Sequence, residues 1–299
     1  MALNDEKKLL IGIIITFLIL ISEIIGGIIS NSLALLSDAG HVFTDAASLL
    51  LSFFALKIMS KPSSKFATFG YHRVGELAAL INGISLIVIS ILIFIEAYKR
   101  ILAPEEIQSG IMLIIAIIGL LGNVITALII GHNHESLNIK SAWLHVFGDA
   151  LASVGVIAGG IIIKITNWYI VDPIISILVG IIIIVGGLNV TRQALRIFLE
   201  LTPLNIDLDN LNTKIKQISG VLDVHDVHLW SIGHGIPSFS AHIRIDDKFA
   251  PDIDKIRKEI EHVLIHFKIK HTVIQFECEH CDKTSLYCEL KNNKDLHCH

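Results

Sequence analysis

The stretch SDAGHVFTDA, Ser37 to Ala46, places two aspartates and a histidine inside a run that is otherwise apolar and long enough to cross a membrane. A charged carboxylate near the bilayer centre costs at least about 3 kcal/mol, so the segment needs a compensating partner. The same pattern returns 104 residues later in LHVFGDALAS, Leu144 to Ser153, so that HVF-x-DA occurs twice in one chain.

The surrounding composition is that of a membrane protein. Of 299 residues, 53% are hydrophobic and only 17% are charged, and the mean hydropathy is +0.67, outside the range of soluble globular chains. Six apolar segments, 9–29, 33–58, 74–98, 107–131, 142–165 and 169–198, each reach the 20 or so residues that a bilayer needs. The first is too long for a signal-peptide core and no small-residue cleavage site follows it, so it reads as a span. Six spans put both ends on one side. Lys7, Lys8, Lys57, Lys61, Lys65, Arg73, Lys140, Arg192 and Arg196 lie on that side, against Lys99, Arg100 and Lys164 on the other. The positive-inside rule makes both termini cytoplasmic.

At Thr202-Pro203 the composition changes, dividing the chain into a six-span domain, 1–202, and a small soluble domain, 203–299. Asp207 to Ile218 has helical spacing. Val221 to Ile232 and Ser238 to Ile245 alternate like strands around a GHGIP turn, Asp252 to Phe267 is helical again, and His271 to Phe276 is a third strand. This order predicts a compact α+β sandwich.

Residues four apart on a helix lie on one face, so His41 and Asp45 point the same way, as do His145 and Asp149. Two such helices facing each other offer two imidazole nitrogens and two carboxylate oxygens around one point, a tetrahedral site of the kind zinc accepts. The metal would compensate the carboxylates. A hydrogen-bonded strut explains one His–Asp pair as well as a metal does, but not two pairs with identical spacing. An intramembrane metalloprotease would need HExxH, which the chain lacks. No nucleophile or base stands beside the pairs, so the reading is not an enzyme. A metal-gated channel and a membrane metal sensor are the alternatives to a transporter.

The chain resembles the cation diffusion facilitators, in the cobalt–zinc–cadmium resistance branch. The matching motifs are SEIIGG (22–27), NSLALLSDAGHVFTDA (31–46), FGYHR (69–73), HVFGDALASVG (145–155), DP (172–173), LELTP (199–203) and VHDVHLWS (224–231). The resemblance implies an α-helical membrane protein of six transmembrane helices followed by a cytosolic, ferredoxin-like, metallochaperone-like domain. It also implies a homodimer that exports Zn2+, and in some members Cd2+ or Co2+, in exchange for protons, with His41, Asp45, His145 and Asp149 as the transport site. Histidine at position 41 is the pattern of zinc-preferring members. The long histidine-rich loop of many eukaryotic relatives is reduced here to GHNHES, 131–136, which favours a bacterial plasma membrane. Nucleic acid is not an expected partner.

Neutral imidazole binds metal and imidazolium does not, so metal and protons compete for such a site. Asp38, about 10 Å from Asp45 along the helix, either lines the exit or caps the outer end of the second span. Asn82 and Asn123 read as interhelical hydrogen-bonding groups, and Gly155-x-x-x-Gly159 as a close helix contact.

Ten of the fifteen histidines and all four cysteines lie beyond residue 220. If the hairpin turns symmetrically about Gly235, His228 and His242 fall opposite each other with β-carbons about 5 Å apart. His271 and Glu277 share a face of the third strand, and Cys278-Glu-His-Cys281 has the CxxC spacing of zinc sites. Family members bind zinc in this domain through histidines of the corresponding strands. The expectation is a regulatory zinc site from His228, His242, His271 and Glu277, with Cys278 and Cys281 forming or completing a second; His297-Cys298-His299 is a further candidate.

Overall fold

The computed structural model describes residues 5–130, 137–277 and Leu286. Six long helices come first: α1 (Asp5–Ser30), α2 (Leu33–Met59), α3 (Arg73–Leu102), α4 (Ser109–Ile130), α5 (Leu137–Thr166) and α6 (Val171–Phe198). Each contains a stretch long and apolar enough to span a membrane. They are followed by α7 (Leu208–Lys216), β1 (Val221–Gly233), β2 (Ile236–Ile245), a 3-10 turn (Asp247–Asp252), α8 (Ile253–His266) and β3 (His271–Glu277). The chain forms two compact units. One comprises Met1–Phe54 with Ala78–Arg192, and the other Ala55–Leu77 with Gln193–His299. The second unit therefore includes the turn between α2 and α3, a segment that the division at residue 203 assigns to the membrane domain.

In the first unit the packing is inverted relative to a soluble bundle: at most 33% of any apolar stretch is buried, and Leu18, Leu92, Leu128 and Ile182 face outward. Small residues let the helices approach, because hydrocarbon supplies no hydrophobic drive between them. A β-carbon at Gly83 of α3 would lie 3.0 Å from the Gly187 carbonyl of α6, and one at Gly187 would lie 2.9 Å from the Gly83 carbonyl, so the two backbones touch. Gly26 makes room for Ile115 and Gly160 for Leu113, which seats α4 against α1 and α5. Of the Gly155/Gly159 pair only Gly159 is such a contact, against Ile175; Gly155 faces open space.

The first turn of α2 is clamped from outside its own sequence. Asn31 adopts a left-handed φ of 55°. Arg100 of α3 donates to its backbone carbonyl at 2.6 Å and to its side-chain Oδ1 at 3.0 Å. Asp172, fully buried at the start of α6, then accepts from Ser32 Oγ (2.6 Å), Leu33 N (2.7 Å) and Ala34 N (3.2 Å). A carboxylate here satisfies amides that have no intrahelical acceptor and meets the positive end of the helix dipole. Capping of α2 thus falls to Asp172 and not to Asp38.

In the second unit, α7 and α8 cover one face of a three-stranded sheet of order β1-β2-β3, with β1/β2 antiparallel and β2/β3 parallel. Leu211 and Ile215 of α7 and Ile256, Ile260 and Leu264 of α8 bury themselves against Phe239, Ala241, Ile243 and Ile245 of β2. That alternation leaves Ser240, His242 and Arg244 on the face away from the helices. Asp207 caps α7 by accepting from the amides of Asp209 and Asn210. The α2–α3 turn joins this unit through specific contacts. The His234 amide at the β1–β2 tip donates to Glu76 Oε1 (2.9 Å), Arg73 pairs with Glu200 (2.7 Å), and Phe69 meets His271 edge-on with centroids 5.4 Å apart.

Replacing the clamp tests its weight. Asp172→Ala leaves buried donors without an acceptor, at a cost of about 1–3 kcal/mol, and is expected to lower the thermal unfolding midpoint of the detergent-solubilised protein. Asp172→Asn, which keeps one acceptor oxygen, is expected to fall between Asp172→Ala and wild type. An unchanged midpoint for Asp172→Ala would remove the clamp from the account.

Candidate metal centres

Helices α2 and α5 bring the two HVF-x-DA copies into one region of the first unit. His41 Nε2 lies 3.5 Å from Asp149 Oδ1, and Asp149 is buried. Two donor atoms bound to one tetrahedral zinc at bond lengths of about 2.0–2.1 Å stand roughly 3.3 Å apart, a separation close to this approach across the helices. Asp45 and His145 lie on the same two helices, four residues from His41 and Asp149 respectively; their side chains fall outside the described residues.

Polar groups extend from this pair. Ser153, one turn beyond Asp149, donates to the Asp149 carbonyl (3.1 Å) and approaches Asp38 Oδ2 (3.4 Å), and Asp38 is buried to 2% exposure. Asp38 therefore belongs to the interior seam between α2 and α5. A further carboxyl was not singled out from the sequence: Glu23 of α1, 1% exposed, sits where Gly119 of α4 leaves space, since a β-carbon there would lie 2.7 Å from Glu23 Oε1. Its signal was present, a glutamate in mid-span within SEIIGG.

In the second unit the metal-binding geometry differs from the expected one. His225, His242 and Glu277 offer one ligand atom each within 4.8 Å of one another. Glu277 bridges the two imidazoles, with Oε2 3.0 Å from His225 Nε2 and Oε1 2.7 Å from His242 Nδ1. The rings meet edge-on with centroids 5.5 Å apart, and His225 is 1% exposed. The hairpin is not symmetric about Gly235. Its tip is the two-residue turn His234-Gly235 between Gly233 and Ile236, and an extra β1 residue bulges between His225 and His228. Asp226, in the bulge, takes a φ of 49°, a region aspartate tolerates better than most residues. The two-residue turn and a register shift between Ser231 and Gly233 put His228 opposite Ser240, and the bulge then places His225 opposite His242.

His228 is consequently half exposed and reaches the cluster only through Asp226, which lies 3.6 Å from both His228 Nε2 and His242 Nε2. His271 shares a face with Glu277 as the strand period requires, but the two are six residues apart, roughly 20 Å along the strand. His271 packs on Phe69 and not with the cluster. The sequence VHDVH contains His225, but only the bulge distinguishes it from His228. Cys278 and Cys281 lie outside the described residues, as do His132, His134 and the His297-Cys298-His299 tail.

Two imidazoles and a carboxylate suit a borderline divalent cation such as zinc. Acid–imidazole hydrogen bonds hold the same atoms at separations a metal can replace.

Comparison with known proteins divides the chain near residue 200. The cation efflux transmembrane domain pattern matches residues 9–199 and the cation efflux protein cytoplasmic domain pattern matches residues 203–279. The cadmium, cobalt and zinc/H(+)-K(+) antiporter of Bacillus subtilis is 40% identical over 302 residues, covering 99% of this chain and 97% of that protein. Zinc transporter ZitB of Escherichia coli is 36% identical over 300 residues, covering 99% and 94%. The metal cation efflux system protein CzcD of Cupriavidus metallidurans is 36% identical over 281 residues, covering 94% and 89%. The solved metal-bound C-terminal domain of the CzcD transporter shares 32% identity over 24% of this chain and 99% of its own, at a TM-score of 0.23. With both domain patterns matched and relatives similar over nearly their whole length, this six-helix chain is a multi-pass membrane transporter belonging to the cation efflux, or cation diffusion facilitator, family.

Proposed function

We propose that this chain exports Zn2+, with Cd2+ and Co2+ as competing cargo, in exchange for protons through a site made by His41, Asp45, His145 and Asp149. The observation that carries the reading is the 3.5 Å approach of His41 to Asp149 between α2 and α5. The relatives named as a cadmium, cobalt and zinc/H(+)-K(+) antiporter and as zinc transporters support the cargo and the exchange.

The ligands supply the coupling. Zinc takes a neutral imidazole and an ionised carboxylate, so each binding event displaces protons at neutral pH, and a proton arriving from outside displaces zinc. Alternating exposure of one site to the two sides turns this competition into exchange. Both termini lie in the cytoplasm of a bacterial plasma membrane, in keeping with the lysine and arginine distribution. The transport domain runs over 1–202 and the cytosolic domain over 203–299, and the protein works as a homodimer. His225, His242 and Glu277 hold a regulatory zinc there, with Asp226 beside them; this set replaces the expected one of His228, His242, His271 and Glu277. Cys278 and Cys281 follow Glu277 directly and supply a second set of donors.

Purified protein in liposomes provides the test. Zinc uptake and opposite proton flux in a fixed ratio are expected; zinc flux without protons would indicate a channel, and neither flux a sensor. Losing an outer partner of a ligand already costs about 10–100-fold in metal affinity. Asp45→Ala and Asp149→Ala are therefore expected to reduce transport by more than about 100-fold while the protein still inserts and elutes as wild type. Wild-type rates in both would sink the assignment.

The two units make a further distinction measurable by zinc titration of the full chain. His225→Ala and His242→Ala are each expected to remove one zinc equivalent, whereas His271→Ala leaves the stoichiometry unchanged and His228→Ala lowers affinity only modestly. Loss of an equivalent in His271→Ala with none in His225→Ala would reverse the register argument. Because protonation removes the imidazole donor, zinc affinity at both centres is expected to fall as pH drops.

A further inference from the structure

The segment between α2 and α3 carries a charge that the rest of the chain does not. No acidic residue occurs between Asp45 and Glu76, yet Lys57, Lys61, Lys65 and Arg73 fall there, in a protein whose net charge is −4. Arg73 is committed to Glu200. Lys57, Lys61 and Lys65 are exposed and have no ion pair among the described residues.

The same segment displays an aromatic ring. Ser64 and Ala67 exchange both backbone hydrogen bonds, Ser64 N to Ala67 O at 3.0 Å and Ala67 N to Ser64 O at 3.1 Å, closing a tight turn with Lys65 and Phe66 at its tip. Phe66 is 87% exposed, and the Lys65 ammonium lies 5.0 Å from the centre of its ring. Phe69 differs: it is held against His271. The turn thus carries one ring, half exposed, seated on His271 and one projected outward beside a lysine.

We propose that this turn is an anchor for anionic phospholipid: Phe66 enters the interfacial layer while Lys61 and Lys65 bind lipid phosphates, with Lys57 at the end of α2 extending the basic surface. The occupant follows from position and charge. Ser64 is five residues past the end of α2, so it stays within roughly 18 Å of that end even fully extended, and α3, the next helix of membrane-spanning length, begins at Arg73. The tip is tethered beside a lipid surface, where even weak contacts are made effective by high local concentration. Phenylalanine on the apolar side of an interfacial segment is buried at the boundary between headgroups and acyl chains, and lysines next to a span are drawn to anionic lipid.

The test places a reporter at the tip. Full-length Phe66→Trp protein is assembled in nanodiscs of phosphatidylcholine alone or mixed with phosphatidylglycerol, using lipids brominated near the headgroup end or the methyl end of the acyl chains. Wild-type protein supplies the background from Trp143, Trp168 and Trp230. The added fluorescence is expected to be blue-shifted, to lose more than half its intensity to bromine near the headgroup end, and to lose less to deep bromine. The quenching is expected to be at least about twofold stronger with phosphatidylglycerol, and to lose that preference in Lys61→Gln/Lys65→Gln or at high salt. Three results overturn the proposal: quenching by aqueous iodide with none by brominated lipid, protection from both as a protein–protein contact would give, or equal quenching in the two lipid compositions. Size-exclusion elution identical to wild type excludes misfolding of the variants.

Discussion

Hydrocarbon offers an ionised side chain no water, and that constraint organises the first unit. Its buried carboxyls, Glu23, Asp38, Asp149 and Asp172, must each find compensation inside the protein. Asp172 finds it completely, in one hydroxyl and two backbone amides at the start of α2. This fixes the helix that carries Asp38 and His41. Asp149 is met by His41, and Asp38 by Ser153. Asp172 is thus saturated by fixed protein donors at the start of α2, which makes it a structural carboxylate.

The spans and the paired HxxxD motif were legible because their signals are local. An apolar run of bilayer length, a polar pair with helical spacing and a repeat can each be read without knowing what lies opposite. The soluble domain was legible to the same depth: strand and helix periods placed its elements within a few residues. What the sequence hid was register. Pairing His225 with His242 depends on the two-residue turn and on two extra residues in β1, one between Ser231 and Gly233 and one between His225 and His228, and nothing in VHDVHLW announces the second except an aspartate tolerant of positive φ. Strand period alone put His271 and Glu277 on one face and said nothing about the distance between the two ends of β3. Glu23 was missed for another reason: its meaning depends on a space left by Gly119 on a different helix.

The two candidate metal centres make opposite use of backbone. In the membrane, the ligand pairs stand on separate helices, so a relative shift of α2 and α5 changes the distance between His41 and Asp149 without breaking a hydrogen-bonded ladder. That suits a site that must bind and release. In the soluble domain the three donors stand on adjacent strands of one sheet, locked by the ladders between β1, β2 and β3. A metal held there gains rigidity from the sheet and gives rigidity back by tying its strands together.

The consequence of that rigidity is set by where the β1–β2 hairpin ends. From the His225–His242 pair, the strands run to the His234-Gly235 turn, whose first amide donates to Glu76. At the other side of the sheet, His271 opens β3 against Phe69. The partners in these two contacts, Glu76 and Phe69, belong to the first turn of α3, the helix that continues to Leu102, and to the α2–α3 turn. A ligand that binds better when the three strands are in register therefore also favours the arrangement in which the hairpin tip and the start of β3 grip this segment. The size of that bias can be no greater than the difference in the ligand's affinity for the two arrangements. Regulation by the soluble domain then requires no second machinery: the sheet that gathers His225, His242 and Glu277 is the same body that holds the entry of α3.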